Sequence, residues 1–133
     1  MTRPRVLIVE DQTLIRLDLH RLLEAAGYDV CGMALDGIEG VEHALELLPD
    51  LVVLDVKMPE LDGVEAARQI LAVRHVPIVM LTAYGYGELI SRCLDIGVVG
   101  FVVKPFREDD LLDALRTALE QSSDGEGFAY VRR

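Results

Sequence analysis

Leu51-Val52-Val53-Leu54-Asp55-Val56-Lys57-Met58-Pro59 is the stretch on which the reading of this chain turns. Four consecutive apolar residues form a run of strand length, the pattern of a strand buried on both faces in a helix-covered parallel sheet. Asp55 ends the run, so its carboxylate emerges where the strand leaves the sheet. Near the N-terminus a second run, Val6 to Val9, ends in Glu10 and Asp11. Two buried strands that both finish in acid point to one shared site.

Working outward, short apolar runs recur at 6–9, 28–32, 51–54, 77–81 and 100–103, and helical patterns lie between them. Ile15, Leu19, Leu22, Leu23 and Ala26 fall at i, i+4, i+7, i+8 and i+11, with Gly27 where a helix C-terminus is expected. Val41, Ala44, Leu45 and Leu48 predict the buried stripe of a second helix, and Ala67, Ile70 and Leu71 that of a third. Leu89, Ile90, Cys93 and Leu94 mark a fourth, ending near Gly97, and Leu111, Leu115, Ala118 and Leu119 a fifth. Strict alternation of strand and helix predicts parallel strands joined by right-handed crossovers, with helices on both faces. The expected fold is an α/β, doubly wound (βα)5 sandwich of flavodoxin-like strand order 2-1-3-4-5. In that order the ligand site lies at the carboxyl ends of strands 1 and 3, which carry Glu10, Asp11 and Asp55.

The chain has 133 residues, 51% of them hydrophobic, which suits a single domain with a substantial core. The domain is expected over residues 1–121. Beyond it Ser122-Ser123-Asp124-Gly125-Glu126-Gly127 breaks the helical period, so 122–133 is expected to be a flexible tail. No apolar run approaches the ~20 residues of a membrane span, and a cytoplasmic protein is expected. A formal net charge of −10 repels nucleic-acid phosphates and argues against direct binding to DNA or RNA. Cys31 and Cys93 lack metal-ligand or disulfide spacing and read as buried free thiols.

Three carboxylates gathered within a few ångströms repel one another, so such a site either raises a pKa or recruits a cation. An open, all-oxygen donor set suits Mg²⁺, which takes one or two carboxylates and accepts phosphate oxygens. Glu10 and Asp11 taken alone would read as caps of the first helix; beside Asp55 they read as metal ligands. Thr82 and Lys104 each follow a strand and place a hydroxyl and an ammonium at the same end of the sheet. An aspartate can accept a phosphoryl group as an acyl phosphate if a metal and a cation neutralise the charge.

With Leu7-Ile8-Val9-Glu10-Asp11, Leu54-Asp55-Val56-Lys57-Met58-Pro59, Asp62-Gly63, Leu81-Thr82-Ala83 and Val103-Lys104-Pro105-Phe106 in place, residues 4–121 resemble the receiver domain of bacterial two-component response regulators. The resemblance implies that Asp55 is the phosphoacceptor, charged by a histidine kinase or histidine phosphotransfer protein. It implies Mg²⁺ on Glu10, Asp11, Asp55 and the backbone carbonyl of Lys57, with Thr82 and Lys104 on the phosphoryl oxygens and Ala83 leaving room for them. It further implies a cis Lys104–Pro105 bond, and Phe101 as the aromatic switch that turns inward on activation. Lys57 and Tyr84 flank the site where water access would tune the acyl phosphate. A downstream protein would read the face formed by the fourth helix, fifth strand and fifth helix.

Such a protein is a switch rather than an enzyme, catalysing only its own phosphorylation and dephosphorylation. An Mg²⁺-dependent aspartyl phosphatase of the haloacid dehalogenase type needs a second Asp two residues after the first, where this chain has Lys57. An FMN binder must cradle phosphate with its first loop, which Glu10-Asp11 would repel. The stretch Glu10 to Leu19 also resembles receivers attached to ANTAR RNA-binding domains. With no such domain after residue 121, a stand-alone receiver acting by protein contact or phosphorelay is expected, the alternative being the receiver portion of a longer regulator.

Overall fold

The structure, a computed structural model, describes residues 3–58, 60–83, 87–124 and 130–132. The alternation is complete: β1 (Arg5–Val9), α1 (Thr13–Ala25), β2 (Asp29–Ala34), α2 (Gly37–Leu47), β3 (Leu51–Asp55), α3 (Gly63–Val73), β4 (Ile78–Thr82), α4 (Gly87–Ile96), β5 (Gly100–Val103) and α5 (Glu108–Asp124). All pairings are parallel and the order 2-1-3-4-5 is as expected.

The tail differs from expectation. α5 runs past residue 121 to Asp124, and β6 (Tyr130–Arg132) adds a sixth strand parallel to β5. Three residues suffice to pair with the backbone of β5, which the expected five-stranded order leaves as an open sheet edge.

The central strands are buried on both faces, and their alternation divides the core in two. Leu7, Val9, Val52, Leu54, Ile78 and Met80 point toward α2, α3 and α4. Val6, Ile8, Leu51, Val53, Val79 and Leu81 point toward α1 and α5. Each such side chain removed from water is worth about 1.5–3 kcal/mol; a one-residue slip would exchange the two sets, so the register is held by the fit of each set to its own helices.

The second helix corrects the sequence reading. Its buried residues are Gly37, Gly40 and Ala44, while Leu45 and Leu48 face solvent. The helix lies too close to β1 to admit larger groups: a Cβ on Gly40 would stand 2.8 Å from Val9 Cγ1. Small residues therefore turn inward together with the half-buried Val41, and Leu45 and Leu48 turn outward. Cys93 is buried, as expected, but Cys31 on the edge strand β2 is only half-buried; both are free thiols.

Among the described residues no helix is long and apolar enough to cross a membrane.

Candidate functional site

Register builds the site. Val9 pairs with Leu54, so Glu10 and Asp55 stand level at the ends of β1 and β3. Asp55 pairs with Leu81 and Thr82 with Val103, which sets Thr82 and Lys104 successively further along the same rim. One carboxylate oxygen from each of Glu10, Asp11 and Asp55 lies within 4.8 Å of the others, a group able to hold one cation. Lys104 Nζ is 3.4 Å from Glu10 Oε1 and 3.4 Å from Asp55 Oδ1. Glu10, Asp55 and Thr82 are buried, Glu10 completely.

Backbone contacts hold these groups in place. Gln12 N–H donates to Glu10 Oε2 at 3.1 Å, and the Arg16 guanidinium donates to the carbonyl oxygens of Glu10 and Asp11 at 2.9 and 3.4 Å. Lys57 N–H donates to Asp55 Oδ1 at 3.5 Å, and Lys104 N–H to the Thr82 carbonyl at 2.7 Å. The Lys104–Pro105 bond is cis. Asp62 caps α3 by accepting from Glu65 N–H at 2.9 Å. Glu10 and Asp11 do not cap α1, whose N-cap is Gln12 without a side-chain bond, so the capping account of that pair fails.

A cavity of about 620 Å³ opens over the rim, walled by Asp55, Lys57, Thr82, Ala83 and Lys104. Gln12 and Asp62, both within stretches singled out in the sequence, also line it, as does Arg92, to which no motif pointed. Tyr84 and Pro59 lie outside the described residues. Phe101 does not line the cavity: it is wholly enclosed on the side of the sheet that carries α2, α3 and α4, with Met80, Ile90 and Cys93.

Burial pushes the Glu10 carboxyl up from the ordinary 4.5 to about 7; Gln12 N–H opposes this, the Asp55 charge adds to it and Lys104 again opposes it. Because the folded-state value lies above the unfolded one, ionising Glu10 costs stability. Without added metal, stability should be greatest, as far as this group decides it, below about pH 4.5, and fall by on the order of 2–3 kcal/mol as pH rises through about 7. Urea melts at about pH 5 and about pH 8 measure the slope. Glu10→Gln should flatten it; an unchanged slope in that variant would assign it elsewhere.

Residues 6–116 match the response regulator receiver domain model. The chain belongs to the response regulator receiver domain family. It is 47% identical over 117 residues to the transcriptional regulatory protein PdtaR of Mycobacterium tuberculosis, a match covering 88% of this chain and 57% of PdtaR. This receiver therefore spans a little over half the length of that relative. It is 37% identical to the chemotaxis protein CheY of Thermotoga maritima, over 84% of this chain and 93% of CheY. Among solved structures, a CheY-like receiver domain protein from Methanospirillum hungatei superposes with a TM-score of 0.87 at 27% identity, over 94% of this chain and all of that one. The family is that of a signalling switch in two-component systems.

Proposed function

We propose that this receiver accepts a phosphoryl group on Asp55 from a phosphohistidine of a sensor kinase or phosphotransfer protein, and that the acyl phosphate is its active signal. The observation that carries the reading is the meeting of Glu10, Asp11, Asp55 and Lys104 at one buried rim. An Asp55 oxygen attacks phosphorus and the imidazole departs. Thr82 and Lys104 receive the phosphoryl oxygens, Lys104 exchanging its contact with Asp55 for one with the new charge of roughly −1.5 to −2. Glu10, Asp11, Asp55 and the Lys57 carbonyl would hold Mg²⁺, which when bound supplies neutralisation for the gathered negative charge. The donor set is all oxygen and open to a cavity, which fits that ion.

Donor docking finds support in a second groove of about 1100 Å³ between α1 and α5, lined by Ile15, Leu22, Pro105, Phe106 and Leu112, which shares Ala83 and Lys104 with the site. For output, Phe101 is already buried, so its response to a shift of Thr82 is repacking within the core and not a swing from solvent; α4, β5 and α5 would carry the change outward. The match to slightly more than half of PdtaR favours a second reading, in which this receiver governs an output segment of a longer regulator.

Incubation with acetyl phosphate and Mg²⁺, followed by borohydride reduction and peptide mass analysis, should place one label on Asp55. A chelator should abolish it. A label on another residue, or one indifferent to the chelator, would overturn the proposal.

A further inference from the structure

The outer face of α2 is unaccounted for by the switch. Ile38 is 48% exposed, Leu45 36% and Leu48 55%, while the same helix turns glycine and alanine inward. Leu35, just before the helix, is 47% exposed as well. Two of the large apolar side chains that the fold leaves in water, Ile38 and Leu45, thus lie on α2, and two more, Leu35 and the C-cap Leu48, flank its ends. A helix that is apolar toward both core and solvent has a second surface to cover, and contiguous exposed apolar patches mark interaction sites.

What would cover it follows from charge. Along α2, Ile38, Val41 and Leu45 fall at i, i+3 and i+7; Val41 packs on the core while Ile38 and Leu45 are exposed, with Leu48 beyond them as the left-handed C-cap. Glu39, Glu42 and Glu46 follow the same steps one residue later, so an acidic row runs parallel to the apolar one. From Leu22 to Val56 the chain has no lysine or arginine. On the neighbouring α3, Arg68 is engaged by Glu65. A second copy of this chain would set one glutamate row against another, and an anionic membrane would meet the same repulsion.

We propose that the outer face of α2 docks a basic amphipathic helix of a partner protein, whose apolar side seats on Ile38, Leu45 and Leu48 and whose lysine or arginine flank pairs with Glu39, Glu42 and Glu46. This is the helix-on-apolar-stripe mode of recognition, with anchors at helical spacing and a charged rim that sets orientation. The surface is separate from the α1–α5 groove and from the α4, β5 and α5 face.

The probe is a synthetic Leu/Lys peptide of about 18 residues with helical apolar period, long enough to span α2. Its controls are a scrambled peptide of the same composition and a Leu/Glu peptide of the same period. Binding to the full chain is followed by fluorescence anisotropy and by ¹⁵N amide shifts. Shifts should concentrate on residues 35–48, both controls should bind at least about tenfold more weakly, and Ile38→Ser with Leu45→Ser should weaken the Leu/Lys peptide about tenfold or more. Glu39→Gln, Glu42→Gln and Glu46→Gln together should remove most of the salt dependence. Because these side chains are on the surface, phosphorylation at Asp55 should persist in every variant, which separates this docking face from the switch. Shifts confined to another face, equal affinity for the scrambled peptide, or a dimer by sedimentation that Leu45→Ser dissolves would each overturn the proposal.

Discussion

Asp55→Asn is expected to take up no phosphoryl group from acetyl phosphate and Mg²⁺, under conditions in which the wild-type chain gains one phosphoryl mass. A carboxamide offers no anionic oxygen to attack phosphorus, and Glu10, wholly buried and engaged by Gln12 N–H and Lys104, is not free to take its place. The loss should be complete. The fold should survive, because asparagine has the same shape and its carbonyl oxygen can still accept the Lys57 N–H. Removing the Asp55 charge should also lower the Glu10 pKa from about 7, since that charge is one of the influences holding it up. Intact mass gives the first outcome, and a pH series of urea melts the second. Labelling of the mutant at the wild-type rate would show that Asp55 is not the acceptor.

Gly63→Ala is expected to have the next largest effect, and helix propensity alone predicts the wrong sign for it. Gly63 opens α3, where alanine is ordinarily favoured by up to about 1 kcal/mol. Here a Cβ would overlap the carbonyl oxygen of Asp55 and come within 2.7 Å of Val56 Cα. Both are backbone atoms, and Gly63 N–H donates to the Val56 carbonyl at 2.7 Å, so neither side can yield without moving the end of β3. Overpacking of this kind costs about 3 kcal/mol or more, which outweighs the propensity gain. Phosphorylation should fall with it, because the displaced backbone carries the acceptor. Chemical denaturation together with the acetyl phosphate assay tests both. A variant as stable as wild type with full labelling would mean that the loop after Asp55 is not held from below by α3.

The contrast between β3 and α2 shows what a sequence makes legible. A strand buried on both faces needs an unbroken apolar run, so 51–54, 6–9 and 77–81 read directly as the centre of a parallel sheet. A helix carries apolar residues for more than one purpose. In α2 Val41 and Ala44 do face the core, but the close approach of Val9 puts Gly40 on the inner side and leaves Leu45 and Leu48 in water. No property of the helix in isolation states how close its neighbour stands. The end of the chain is similar: its composition reads as tail, and only the open edge of β5 gives Tyr130–Arg132 a partner.

The site divides along the same line. Its residue types were readable because each acidic or polar group ends a strand: Glu10 and Asp11, Asp55, Thr82 and Lys104. That they share one rim, with three carboxylate oxygens within 4.8 Å and Lys104 at 3.4 Å from two of the acids, depends on the register of four strands drawn from across the chain. The sequence motifs include Arg16 and Gly63 but state neither the contact of Arg16 with the Glu10 and Asp11 carbonyls nor the close approach of Gly63 to Asp55, and Arg92 in the cavity wall left no motif. The strand and helix alternation, the order of the sheet and the chemical groups at its edge could be read from the chain because they follow from local pattern and connectivity. How near those groups lie, how deeply Glu10 is buried and which side of α2 meets water emerge only on packing, because distance and burial belong to segments brought together and to none of them alone.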